Sequence, residues 1–326
     1  MPDSGAKIES DFWRGLRGRI PSEIKQVISP RAYLIGGTLK LQDLVRYALL
    51  PGGGKSVTRA YEKHVADYLN VKAAVSYSTG RAAMSELFRA LDIRAGDEII
   101  IPGYTCIAVP AAIMMVGAIP KYVDIDARTF NIDPSLIERS ITPRTRVIVA
   151  QHTFGIPCDL DALQSIASRH GLLLIEDCAH AAGAKFSNRY CGNFGTAAYF
   201  STEHSKMFST VKGGFVTTND TALAARLRRA QATLVPEPPE RVRACVERWT
   251  TEVLVYDSRV GSLAKLAVEK AGRSERLGAA IRGAREFDLA EFADLNEAVL
   301  RPPAQLAPEL ARIGLFQVGR IEADVV

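Results

Sequence analysis

No apolar run in the 326 residues approaches the ~18 needed to cross a bilayer. The opening stretch, MPDSGAKIESDFWRG, is polar and carries acids where a secretory signal would be apolar. A cytoplasmic protein with no membrane partner is therefore expected. Cysteine is scarce: Cys106, Cys158, Cys178, Cys191 and Cys245 are odd in number, scattered, and include no CxxC pair. That spacing argues against a disulfide framework and a zinc site, and it fits a reducing compartment with no bound metal. Charge is not concentrated either. The 41 Lys+Arg and 36 Asp+Glu leave a net charge of +5, and the basic stretches ARLRRAQ and PERVRACVER interleave apolar residues at helical spacing. They read as solvated helix faces, so no nucleic-acid partner is expected. A P-loop is missing as well: the GGGKS of residues 52–56 would need glycine at position 49, where Leu49 stands, and the stretch reads as a loop.

What is present is ample apolar material, 47% of the chain, for one large domain or two smaller ones. From about residue 70, short apolar runs alternate with amphipathic segments. KAAVSYS, DEIIIPGY, PKYVDI, TRVIVAQH, LLLIEDC, TAAYFS and GGFVTT read as strands. Between them, NIDPSLIERSI has Asp133 as N-cap and Pro134 at the first helical position, and Asp159 starts a helix that Gly171 ends. Strands that are apolar throughout and alternate with helices predict an α/β fold with a mostly parallel sheet covered on both faces. Ligands of such folds sit at the carboxyl ends of the strands. Residues 1–60 read as a helical N-terminal segment, 61–221 as the sheet domain, and 222–326 as a helical C-terminal region.

Three features fall at those carboxyl ends. LLLIE delivers Asp177, AAYF delivers Ser201 five residues before Lys206, and STGRAAM turns from strand to helix through Gly80, a geometry that exposes backbone N–H groups to a phosphate. A phosphate cradle, a carboxylate and a lysine are what pyridoxal 5'-phosphate requires. The lysine joins its aldehyde, the carboxylate keeps the pyridine nitrogen protonated, and small polar groups hold the phosphate.

In order and wording, these motifs resemble the DegT/StrS sugar aminotransferases, PLP enzymes of fold type I. The resemblance runs from about residue 50 to 220, through YEKHVADYLNVKAAVSYSTGRAAM, LDIRAGDEIIIPGYTCIA, GAIPKYVDIDARTFNID, ITPRTRVIVAQHTFGIPCDLDAL, LLLIEDCAHAAGA and FSTEHSK…GGFVTTND. It implies that Lys206, six residues after Phe200, holds the cofactor and that Asp177 pairs with the pyridine nitrogen. It also places His180 near the ring hydroxyl, and Gly80, Arg81 and Ser201 at the phosphate. Arg81 stands where the family commonly has threonine, so a backbone contact survives the change and a hydroxyl contact does not. The family's ring-stacking aromatic aligns with Cys106, and the nearest aromatic is Tyr104. Either Tyr104 reaches across or Cys106 lies under the ring. Lys212 falls where the family usually has an acid and reads as a loop residue. His152 and His204 read as structural, Cys178 and Cys191 as buried small residues, and Tyr77 as core.

The implied activity is transfer of an amino group from glutamate or glutamine to a keto group of a nucleotide-linked sugar, in a homodimer. Members that are dehydratases carry histidine at the lysine position, and this chain keeps Lys206. A second expectation concerns the C-terminus. The chain ends about where the family's C-terminal small domain should begin, so a shortened, weakly active or non-catalytic homologue is the alternative reading, as is a sugar dehydratase.

Overall fold

The computed structural model describes residues 54–203, 205–207, 209–256 and 302–324. His204 and the helical segment expected before residue 54 lie outside the described residues, as do residues 257–301 of the helical C-terminal region.

Each of the seven apolar runs forms a strand of one sheet: β1 (Ala73–Tyr77), β2 (Glu98–Pro102), β3 (Ile119–Val123), β4 (Thr145–Gln151), β5 (Leu173–Asp177), β8 (Ala197–Ser201) and β9 (Gly214–Thr218). The order is β1-β9-β8-β5-β4-β2-β3, with β6 (Lys185–Phe186) and β7 (Arg189–Tyr190) making a separate hairpin. Strands β8, β5, β4, β2 and β3 are parallel, and β9 runs against both of its neighbours. A mostly parallel sheet is thus observed.

Helices cover both faces, and the period-2 alternation of each strand decides which core a residue joins. Ile99, Ile101, Val147, Val149, Ile175 and Tyr199 face a core with α2 (Gly80–Ala90), α3 (Ala108–Met115) and α5 (Thr221–Thr233). Their neighbours Ile100, Ile148 and Leu174 face the opposite core with α4 (Leu160–His170). Phe200 and Phe215 stack at 4.6 Å in a third cluster, which joins α1 (Lys55–Leu69) to α7 (Pro308–Asp324). Tyr77 is fully buried. Beyond the sheet, the described residues add α5, α6 (Pro239–Tyr256) and α7.

Two local readings differ from the structure and a third agrees. Helix α1 begins at Lys55 and runs unbroken through position 60, so the GGGKS stretch leads straight into a helix. Asp133 does cap the segment after it, accepting the Ser135 N–H at 2.9 Å, but that segment is two 3₁₀ turns, Pro134–Leu136 and Glu138–Ser140, rather than an α-helix. So few residues cannot meet the cost of α-helix nucleation. Helix α4 follows expectation, with Asp159 accepting from the Ala162 N–H at 3.0 Å and Gly171 closing it at φ 64°.

Glu98 ties the amino end of β2 to its neighbours, accepting from Thr142 Oγ1 at 2.6 Å, Arg144 Nη2 at 2.7 Å and Lys121 Nζ at 3.4 Å. The Thr142 hydroxyl first, then Arg144 and Lys121, hold its carboxyl down at about 2. A folded-state value below the unfolded one stabilises the protein above the ordinary glutamate range, and that contribution fades as pH falls through it toward 2. Glu98→Gln should therefore flatten the acid limb of the stability curve below about pH 4.3, measured by urea unfolding at stepped pH.

Candidate active site

Strand register builds the site. Gln151, Asp177 and Tyr199 are successive partners across β4, β5 and β8, forming a row at the carboxyl edge. Two residues further along β8, Ser201 pairs with Gly214, which pairs in turn with Tyr77 at the end of β1. The chain leaves β1 through Ser78 and Thr79 and enters α2 at Gly80, with the Thr79 hydroxyl accepting the Ala82 N–H at 3.0 Å.

Gly80, Ser201 and Gly214 come together because nothing larger than glycine fits. A Cβ on Gly80 would lie 3.0 Å from Ser201 Cβ and 3.3 Å from its Oγ, and one on Gly214 would lie 2.5 Å from the Gly80 N and Cα. The Ser201 side chain thus sits against the first turn of α2, whose leading N–H groups are not all used within the helix. Gly214→Ala sets backbone against backbone. It should cost about 1–3 kcal/mol or more, the range of overpacked interiors, seen as a lower urea midpoint.

Lys206 arrives on the loop after β8. Its Nζ lies 2.8 Å from His180 Nε2. Burial lowers its basicity below the ordinary lysine range, and Cys106 and Asp177 pull it partly back. His180 is likewise lowered, by burial first and then by the Lys206 charge. Both effects favour one shared proton between the two nitrogens over two separate cations.

Asp177 is 5% exposed. Burial pushes its carboxyl up, against the Ala179 N–H that donates to Oδ1 at 2.9 Å. The Tyr199 hydroxyl lies beside this carboxyl, near enough to affect its ionisation, yet it is buried without a hydrogen bond of proper geometry. A buried carboxyl pushed away from its charged form, next to an orphaned hydroxyl, is a place that an incoming cation would relieve.

Other expected residues fall in different surroundings. Arg81 lines a cavity of about 250 Å³ with Thr79, Lys212, Glu237 and Arg241. Lys212 pairs with Glu237 at 3.3 Å, well away from a reactive role. Cys106 lies within electrostatic reach of Lys206 and Tyr199. The Tyr104 ring instead packs at 5.6 Å from Phe130 and 6.1 Å from Phe154. His152 is buried, with Nε2 3.2 Å from Glu176 and Nδ1 accepting the Cys158 N–H at 3.1 Å. Glu176 also accepts from the N–H groups of Gly192, Phe194 and Gly195. Although His152, Glu176 and Cys178 lie close enough to ligate an ion, these bonds already use both histidine nitrogens and both carboxylate oxygens. The cluster is a structural brace, as read for His152. Cys178 and Cys191 are buried, their thiols raised by burial, Cys191 to about 12.

Tyr199 escaped the sequence reading because in TAAYFS it reads as one more apolar strand residue. The available signal was its period-2 relation to Ser201 on the same strand.

The chain matches the DegT/DnrJ/EryC1/StrS aminotransferase family over residues 44–260. It is 40% identical over 190 residues to L-glutamine:2-deoxy-scyllo-inosose aminotransferase of Micromonospora echinospora, covering 57% of this chain and 45% of that one. Among solved structures it resembles DesI in the presence of its TDP-sugar product, with a TM-score of 0.54 and 35% identity over 59% of this chain and 49% of that one. It also resembles ntda from Bacillus subtilis with bound cofactor PMP, with a TM-score of 0.52 and 27% identity over 67% of this chain and 47% of that one. The chain spans about half the length of the relatives it matches. Among the described residues no helix is long and apolar enough to cross a membrane.

Proposed function

The chain belongs to the DegT/DnrJ/EryC1/StrS aminotransferase family, and from that premise we propose that it binds pyridoxal 5'-phosphate and moves an amino group from glutamate or glutamine to a keto group of a nucleotide-linked sugar. The observation that carries the reading is the buried row at the carboxyl edge, with Lys206 Nζ 2.8 Å from His180 Nε2 and the buried Asp177 carboxyl within electrostatic reach. The residues fit the cofactor. A cationic pyridine nitrogen would answer the displaced Asp177 carboxyl, and the Gly80 turn with the Ser201 hydroxyl offers small donors to a phosphate. When bound, the cofactor supplies an aldehyde for amine capture and a ring that accepts electrons.

The protein's own residues do the rest. Burial keeps a larger share of Lys206 neutral than an exposed lysine would have, so its amine can both attack a carbonyl and carry a proton. His180 holds that amine in place through the 2.8 Å contact. Asp177, fixed by the Ala179 N–H, places a carboxyl where a bound cation would draw it into its charged form. Arg81 and Cys106 are assigned to the phosphate turn and to the space under the ring, and Tyr104 to the rim with Phe130 and Phe154. The working unit is a homodimer in the cytoplasm.

The inosose aminotransferase relative supports a second substrate, a free cyclitol ketone. The test is a half-reaction screen: load the protein with cofactor, convert it with glutamate or glutamine, then offer keto sugars linked to nucleotides and free keto cyclitols. Return of the starting spectrum only with nucleotide-linked ketones supports the first reading, and return only with free cyclitols supports the second. No spectral change with either amino donor contradicts both.

A further inference from the structure

The loop that presents Lys206 is tied to a helix more than a hundred residues away. At its base, the Thr202 N–H donates to Gly213 O at 3.0 Å, the Thr210 N–H donates to Thr202 O at 2.9 Å, and the two threonine hydroxyls meet at 2.7 Å. Ser209, three residues past Lys206, is gripped from α7. The Gln317 amide donates from Nε2 to Ser209 O at 2.6 Å and accepts the Ser209 N–H on Oε1 at 2.7 Å. Gln317 is fully buried. The Ser209 hydroxyl then accepts the Val211 N–H at 2.8 Å.

Val211 itself sits at φ 67°. A β-branched residue in the left-handed region is strained and persists only where the surroundings over-determine it. Its neighbours explain the persistence: Val211 is buried, and its N–H is held by the same serine that Gln317 holds. With both polar atoms of one side chain satisfied by both polar groups of one peptide residue, the loop has a single register against the helix.

We infer that Gln317 is a positioning residue that sets the placement of the Lys206 amine. The inference rests on the reading that Lys206 is the reactive lysine. Helix α7 reports to the site through this contact pair: if Ser209 is released, the strain at Val211 can relax, and the loop can swing Lys206 away from His180 into water. The amine would then regain the basicity that burial takes from it.

The test uses the full chain without cofactor. Competitive acetylation with acetic anhydride across pH, read by peptide mapping, follows the Lys206 amine with the exposed Lys72, outside the loop, as internal reference. Gln317→Met keeps the volume and removes both hydrogen bonds, so the Lys206 titration should move up toward that of an ordinary lysine. Proteolytic cleavage within residues 203–212 should become on the order of tenfold faster, as local opening is eased. Leu310→Ala, a buried change elsewhere on α7, should lower stability without moving the titration. If Gln317→Met does not fold, Gln317→Glu, which keeps an acceptor for the Ser209 N–H, should give a smaller shift in the same direction. An unmoved titration with unchanged cleavage in the glutamine variant, or an equal shift in Leu310→Ala, overturns the inference. A wild-type Lys206 that titrates like the exposed Lys72 contradicts the poised amine of the proposed function instead, and the cleavage rates then decide the clamp.

Discussion

Lys206→Ala is expected to abolish amino transfer, lowering the half-reaction with glutamate by about 10³-fold or more, ~4 kcal/mol of barrier. The reasoning is local. Lys206 is the amine placed against His180 and within reach of Asp177, while Lys212 is committed to Glu237, so no neighbouring lysine can take over. Because the variant removes a side chain that is only half-buried, stability should hardly change, and urea unfolding separates lost chemistry from lost fold. Lys206→Arg should be equally inactive, since a guanidinium keeps its proton at any accessible pH. Burial lowers the Lys206 amine, so the acid limb of the wild-type half-reaction should lie below the pH at which an ordinary lysine deprotonates. An acid limb at the ordinary lysine position would remove the burial argument.

Asp177→Asn is expected to lose most of the rate while keeping the fold, again by about 10³-fold. The amide can still accept the Ala179 N–H, so the turn after β5 survives. It cannot present a negative charge, and a cationic ring nitrogen would lose its counter-ion. Desolvation already pushes this carboxyl toward its neutral form, so the isosteric amide should be neutral or mildly stabilising to the cofactor-free protein. The two measurements should therefore move apart: unfolding midpoint held or raised, half-reaction collapsed. Near-normal turnover would take Asp177 out of the site.

Much of this arrangement was legible in the sequence because parallel strands are apolar along their whole length. TRVIVAQH and LLLIEDC could hardly be anything else, and a charged residue at the end of such a run stands out. Asp177 and Ser201 were found that way and Lys206 through the resemblance of its motif; the structure sets Gly80 against Ser201 and Lys206 against His180. What escaped depends on contacts with no sequence period. Gln317 meets Ser209 across 108 positions, and nothing in LARIGLFQVGRI distinguishes that glutamine from a solvated one. Tyr199 hides inside an apolar strand. The NIDPSLIERSI segment has the cap of a helix without the length to continue one, so 3₁₀ turns replaced it. Tyr104 was set beside Cys106 only as the nearest aromatic. Its ring packs with Phe130 and Phe154, both held at positive φ, a backbone state that residue identity does not announce.

The central claim, that Lys206 is the lysine that holds the cofactor, is tested most directly by loading the full chain with pyridoxal 5'-phosphate, reducing it with borohydride and mapping the labelled peptide. The account predicts a pyridoxyl group on Lys206, in the peptide that follows Phe200 and Ser201. A label on Lys212, or a protein that takes up no label at all, would contradict it.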